Sequence, residues 1–440
     1  MMMRRKGLST YFAMLAVSAL LFSCSAKKNF VKVNGANFTV NNKPYYFVGA
    51  NFWYGAYLGA DTDYGNRERL VRELNQLQKL GVKNLRIVAA SEESDFKVPL
   101  TPPFQYKNGT YNEKLLQGLD FLLSEMKKRD MHAVLMLNNY WDWTGGMQQY
   151  VSWTTGERVY DPANVKTDTW DQAMKHSATF YTNEKAQALY RKYINMIINR
   201  KNIYTNKIYK NDPTVMTWQL ANEPRPSTAG DPVESMKIFS KWVDDVAGYI
   251  HSLAPNQLVS TGGEGSQGNL NKLDYALQSQ SSKHIDYMTF HMWPKNWGWY
   301  KADQPEMMES ALAKTKKYID EHVDLAVKLN KPTVVEEFGF VRDNEKFAAE
   351  SPTVARDKYY RFILELLKKS ADEGKPLAGM NFWAWGGEGR GQEKDFMWKM
   401  GNTSYTGDPY GEAQGLNSVF NTDKTTLDIL AEYAHDLEKK

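Results

Sequence analysis

Apolar positions along this chain fall into two rhythms. Near-continuous apolar runs, rich in β-favouring residues, recur at Tyr45 to Tyr54, Asn84 to Ala90, His132 to Asn139, Val215 to Glu223, Leu258 to Gly263, Ile285 to Trp293, Pro332 to Phe340 and Leu377 to Trp385. Runs apolar on both faces are the pattern of parallel strands covered on both sides. Between them the period lengthens: Leu70, Leu74 and Leu77 recur at helical spacing within Arg67 to Leu80, and Gly81 follows as a stop. Similar helical patterns occupy residues 113–129, 183–199, 234–253, 307–329, 354–372 and 425–438. Eight strand-and-helix units predict an α/β chain folded as a TIM (β/α)8 barrel. Short alternating stretches around Asn34-Gly35 and Asn41-Asn42 predict an N-terminal β-hairpin ahead of it. The long segments 140–182 and 386–424 are then elaborated βα loops, the part of this fold that builds sites. No repeat, low-complexity block or long linker divides the rest, so one folded body is expected over residues 37–440.

The first residues follow a different logic. Arg4, Arg5 and Lys6 precede an apolar run from Tyr11 to Phe22, which is too short to span a bilayer stably and has the layout of a removable signal peptide. It ends in Leu21-Phe22-Ser23-Cys24, which resembles a bacterial lipobox, and Cys24 is the only cysteine of 440 residues. The expected division is a signal peptide at 1–23, an acylated Cys24 with a short linker at 24–36, and the folded body beyond. Acylation at Cys24 would anchor the body outside the cytoplasm, facing periplasm or cell surface.

Hydrophobic residues at 42% and charged residues at 24% are ordinary for a globular chain, which excludes wholesale disorder and a polytopic membrane protein. The formal charge of +4 falls to near balance once the basic leader is set aside, leaving no clustered basic face for nucleic acid. What stands out is 13 Trp and 26 Tyr. Trp53, Trp141, Trp143, Trp153, Trp293, Trp297, Trp299, Trp383 and Trp385 fall at or just beyond predicted strand ends, whereas Trp218 and Trp242 read as core. Sugar rings present apolar C–H faces that stack on indole, so about half of the rim set is assigned to ligand contact and the rest to loop packing.

The strand ends also carry charge. The fourth run closes in Ala221-Asn222-Glu223-Pro224-Arg225 and the seventh in Glu336-Glu337-Phe338-Gly339. The sixth closes in Phe290-His291-Met292-Trp293, the second holds Arg86, and the third runs into Asn138-Asn139-Tyr140-Trp141-Asp142-Trp143. Two carboxylates across a barrel mouth are the minimum apparatus for splitting a glycosidic bond, one protonated to release the leaving oxygen and one ionised. Adjacent strand residues point to opposite faces, so only one of Glu336 and Glu337 is expected to face the mouth.

Asn222-Glu223-Pro224 with the later Glu337-Phe338-Gly339 resembles the retaining hydrolases of glycoside hydrolase family 5, in clan A. With Asn138-Asn139-Tyr140-Trp141, Gly145-Gly146-Met147-Gln148-Gln149-Tyr150, and Thr289-Phe290-His291 followed by Trp297-Gly298, the chain resembles the endo-β-1,4-mannanase subfamily from about Phe38 onward. The resemblance implies Glu223 as general acid/base and Glu337 as nucleophile, acting on mannan, glucomannan or galactomannan with retention and without a cofactor. It implies Asn222 on the sugar 2-hydroxyl, Arg86 beside the nucleophile, and Asn139, Trp141, His291, Trp293 and Trp383 lining the substrate. One position departs: the family usually has Tyr two residues after the His, bonding the nucleophile, where this chain has Trp293, whose indole donates but cannot accept.

Rival chemistries are poorly served. Gly263-Glu264-Gly265-Ser266-Gln267-Gly268 matches a dinucleotide glycine pattern, but alone that pattern is weak, and Glu264 is expected to serve structure or a subsite. The seven His show neither His-x-His nor His-Glu-x-x-His spacing, so no metal is expected, and no Gly-x-Ser-x-Gly elbow exists. The alternatives left open are a β-1,4-glucanase, an exo-acting mannanase with one cleft end closed by the 140–182 loop, and a non-catalytic glycan-binding lipoprotein. A monomer is expected.

Overall fold

The computed structural model describes residues 29–440; the expected signal peptide and Cys24 lie outside the described residues. Eight strands, each buried along its whole length, form one parallel sheet: β1 (Phe47–Asn51), β2 (Asn84–Val88), β3 (His132–Met136), β4 (Val215–Gln219), β5 (Leu258–Ser260), β6 (Met288–Met292), β7 (Thr333–Phe338) and β8 (Leu377–Phe382). Their order is β5-β4-β3-β2-β1-β8-β7-β6. The ends of that series meet where Asp286 N donates to Val259 O at 2.9 Å and Val259 N to the Asp286 carboxylate at 2.7 Å, which rounds the sheet into the expected barrel.

Helices α1 (Arg67–Lys79), α2 (Glu113–Lys128), α3 (Glu184–Ile198), α4 (Pro232–Leu253), α5 (Leu273–Gln280), α6 (Met308–Leu329), α7 (Val354–Asp372) and α8 (Lys424–Leu437) follow the strands in turn. Local chemistry starts them: Asn66, Asn112 and Asn183 accept from backbone N–H groups of the first turns of α1, α2 and α3 at 2.9, 3.1 and 3.0 Å. The sequence pattern does not reveal α5, which is eight residues long and starts at Lys272 without a side-chain cap.

Three parts differ from expectation. The N-terminal hairpin is a three-stranded antiparallel sheet of Lys32–Asn34, Asn37–Val40 and Lys43–Pro44, so the expected linker at 24–36 contains a strand. Val31 and Phe38 of this sheet pack with Phe47, Met216, Leu258, Tyr287, Val334 and Ala378 at the N-terminal ends of the barrel strands, plugging the barrel's foot. Loop 140–182 holds two helices, Gly146–Thr155 and Trp170–Ala178.

The third difference concerns β7. Its pairing with β6 runs Val335 to Phe290 and then Glu337 to His291, so Glu336 is an extra residue in a bulge. The bulge breaks the alternation, and Glu336 and Glu337 both turn into the barrel. The alternation assumed for the pair is therefore corrected, while Glu337 is the one that reaches the rim and Glu336 lies deeper.

Candidate active site

Arg86 stands at the centre of the barrel mouth. It is 1% exposed, and its guanidinium donates to Gln219 Oε1 at 2.8 Å, Asn51 Oδ1 at 3.1 Å, Asn222 Oδ1 at 2.8 Å and, in a very short contact, Glu337 Oε1. Glu336 lies deeper, accepting from Gln219 Nε2 at 2.6 Å and Tyr287 O–H at 3.2 Å, with Arg86 Nε 3.9 Å away. One cation thus serves both carboxylates, with Glu336 beneath it and Glu337 at the rim.

Glu223 follows β4 in a left-handed backbone conformation, φ 48°, held by its N–H on Gly262 O at 2.8 Å. Gly262 is itself left-handed, φ 77°, and a side chain there would strike the Ala221 carbonyl, so glycine is required where β5 passes the catalytic turn. The Glu223 carboxyl is gripped on two sides: Oε1 lies 2.6 Å from His291 Nδ1 and Oε2 accepts from the Trp141 indole at 2.6 Å. His291 Nδ1 is also 3.3 Å from Glu337 Oε2. Ligand-type atoms of Glu223, His291 and Glu337 all lie within 4.8 Å of one another, close enough to share a proton or a cation.

Burial raises Glu223 above the usual carboxylate range, against the Arg225 charge and the Trp141 hydrogen bond. Burial also raises Glu337 well above that range, opposed by Arg86 and reinforced by Glu223. The direct Arg86 contact opposes that rise at Glu337 and favours its charged form. Burial, with Arg86 next, lowers His291 well below its ordinary value, so the ring is neutral.

Every expected site residue among the described residues reaches this mouth. Asn222 Nδ2 donates to Asn139 Oδ1 at 3.2 Å, and that oxygen also accepts from Trp141 N at 3.1 Å, so Asn139 orients Asn222 rather than standing alone. Trp383 is 4% exposed, its ring meeting Trp293 edge to face at 5.9 Å. Where the family has tyrosine, Trp293 favours the charged form of Glu223, while Arg86 and His291 contact Glu337. Gly339 accommodates that ring, since a Cβ there would lie 2.6 Å from Trp293 Cζ3. Buried polar atoms without a partner among the described residues gather here: His291 Nε2, Trp383 Nε1, Asn138 Nδ2 and Asn139 Nδ2.

The rim tryptophans divide. Trp53 and Trp385 are fully buried, donating to Gly407 O at 3.1 Å and Glu73 Oε2 at 3.0 Å, while Trp297 and Trp299 pack on Tyr318 and Trp153 on Tyr150. These five hold loops. Trp398, stacked on Tyr410 at 4.2 Å, joins Trp53 and Tyr405 in an aromatic block that fastens loop 386–424 to β1.

Two further carboxyls lie near the mouth, Glu264 at the end of the fifth run as expected, and Glu412, which the apolar pattern does not mark. Glu264 accepts from Arg225 Nε at 2.6 Å, and Arg225 lies 4.7 Å over the Trp141 ring; burial and then Glu223 push Glu264 up to about 7. Glu412 of loop 386–424 has a buried Oε2 without a protein partner, and burial followed by Asp408 pushes it up to about 8. It lies in an irregular loop, where no period marks it.

The sequence profile of the GH family 5 beta-mannosidase-like group matches residues 28–440. Mannan endo-1,4-beta-mannosidase 4 of Solanum lycopersicum is 31% identical over 376 residues, covering 83% of this chain and 85% of that enzyme. The crystal structure of a glycoside hydrolase family 5 mannosidase from Rhizomucor miehei superposes with a TM-score of 0.84 at 35% identity, covering 93% of this chain and 98% of that one. A glutamate-to-alanine mutant of that mannosidase, in complex with mannosyl-fructose, gives the same TM-score of 0.84 at 35% identity, covering 93% and 97% of the two chains. With an eightfold barrel, two buried carboxyls at its mouth and a family match across the described body, this chain belongs to glycoside hydrolase family 5, in its β-mannosidase-like group.

Proposed function

We propose that this enzyme is a retaining hydrolase that cuts internal β-1,4-mannosidic bonds of mannan, glucomannan or galactomannan. The observation that carries the mechanism is the separation of the carboxyls. Retaining enzymes hold theirs about 5 to 5.5 Å apart and inverting ones about 6.5 to 9.5 Å, and one oxygen of Glu223 lies within 4.8 Å of one of Glu337, which fits the shorter spacing. The polymer is supported by the tomato relative's name.

In the first step the Glu337 carboxylate attacks the anomeric carbon while Glu223 gives its proton to the glycosidic oxygen. The C–O bond to the leaving sugar breaks and a glycosyl ester forms. In the second, the Glu223 carboxylate takes a proton from water, whose oxygen displaces Glu337 with net retention. Arg86 keeps Glu337 charged, and Asn222 meets the sugar 2-hydroxyl. Trp383 and neutral His291 offer unpaired ring nitrogens to the remaining hydroxyls. Trp141 and Trp293 hold the Glu223 carboxyl between turnovers.

An exo-acting β-mannosidase is the second reading, favoured by the likeness to the Rhizomucor mannosidase. Product sizes from galactomannan, glucomannan, carboxymethylcellulose and an aryl β-mannoside decide, with Glu337→Ala as control. Mixed manno-oligosaccharides support the first reading, and mannose alone the second. Cleavage of the cellulose derivative makes it a glucanase, and binding without cleavage a glycan receptor. Anchoring through acylated Cys24 is part of the proposal; Cys24→Ser should move the protein from the membrane to the soluble fraction.

A further inference from the structure

Trp170 is 54% exposed, an unusual state for the largest apolar side chain. It is nonetheless fixed in place. Thr169 and Gln172 cap the helix Trp170–Ala178 reciprocally, with bonds of 3.3 and 3.0 Å. Tyr140 O–H donates to Met174 O at 2.8 Å and Ser177 O–H to Tyr140 O at 2.9 Å, fastening that helix to the residue before Trp141. The Trp170 ring then meets Trp141 edge to face at 5.5 Å.

The position has a direction. Glu223 Oε1 faces His291 and, through it, Glu337, whereas Oε2 faces Trp141. The Trp141 and Trp170 pair therefore lies on the side of Glu223 away from the nucleophile, which is the side toward which a leaving group departs. We infer that Trp170 is a preformed stacking platform for a sugar ring of the leaving chain, beyond the ring that Glu223 protonates. The inference rests on the proposed mannoside hydrolysis, and applies to endo and exo cleavage alike, since both release a chain on that side.

The test compares kcat/KM for β-1,4-mannohexaose and for p-nitrophenyl β-mannoside, whose aryl group ends beside Glu223. In Trp170→Ala the hexaose-to-aryl ratio should fall about tenfold, mainly through KM. Trp170→Phe should recover most of the ratio. Val165→Ser, on the same loop with Val165 84% exposed, should leave it at the wild-type value. An unchanged ratio in Trp170→Ala, or an equal loss on both substrates, overturns the platform. If the wild-type chain cleaves neither substrate, the hydrolytic reading itself fails, and if it cleaves only the hexaose there is no ratio to read. Mannohexaose binding to Glu337→Gln with and without Trp170→Ala then decides separately, and equal affinities or no binding overturn the platform.

Discussion

Arg86 carries more of the site than either carboxylate. Its four acceptors, Asn51, Gln219, Asn222 and Glu337, converge from three strands or their ends, β1, β4 and β7, and a lysine ammonium cannot reproduce that planar fork. Arg86→Lys should lower kcat by roughly a hundredfold or more while the chain stays folded by circular dichroism. The bulge in β7 sets a sharper comparison. Glu337→Gln should remove turnover, whereas Glu336→Gln keeps its bonds to Gln219 and Tyr287 within reach and should retain measurable activity. Equal loss in both would mean that the deeper carboxylate takes part in the chemistry. Trp141→Phe tests the acid, because its indole lowers the Glu223 pKa by donating to the charged form. Without that donor the basic limb of the pH–rate profile should move to higher pH. Asn222, Glu223, His291 and Glu337 are all legible as residues, because they end apolar runs. That Glu336 also faces inward is not, because a bulge leaves no mark in the period of a strand.

At the scale of elements, the barrel is readable because buried parallel strands make long apolar runs, and it blurs where elements are short. The eight-residue α5 has no side-chain cap, and the rim tryptophans look alike in sequence whether they pack a loop or face the cleft. Trp385 against Glu73 and Trp383 at the mouth are two residues apart with opposite fates. The join between β2 and loop 140–182 has its own electrostatics. Glu92 accepts from Gly146 N at 2.7 Å and Gln105 Nε2 at 2.9 Å, yet burial outweighs these bonds and raises it from 4.5 to about 7. A carboxyl raised on folding contributes stability that is full below its unfolded pKa and is lost as pH rises through the folded one. Thermal stability should therefore fall between about pH 4.5 and 7 partly through Glu92, and Glu92→Gln should flatten that slope. A Tm profile of the variant that is as steep as the wild type's would remove Glu92 from the account.

For the molecule as a whole, the barrel has two poles with different work. The mouth holds charge, unpaired donors and a bulge, and the foot is closed by the small N-terminal sheet. Phe38, 1% exposed, packs edge to face on Tyr287 at 5.2 Å, and Tyr287 in turn donates to Glu336 beneath the site. Phe38→Ala should cost about 3 to 5 kcal/mol in denaturant unfolding, with the folded fraction keeping its activity. On the proposed acylation of Cys24, the same sheet would set the molecule's bearing toward the membrane. Val31, the first residue packed into the foot, lies seven positions after Cys24 in sequence, so the proposed acylation would place the barrel's foot toward the lipid. Its opening would then look outward, toward polymers arriving from the medium and away from the lipid.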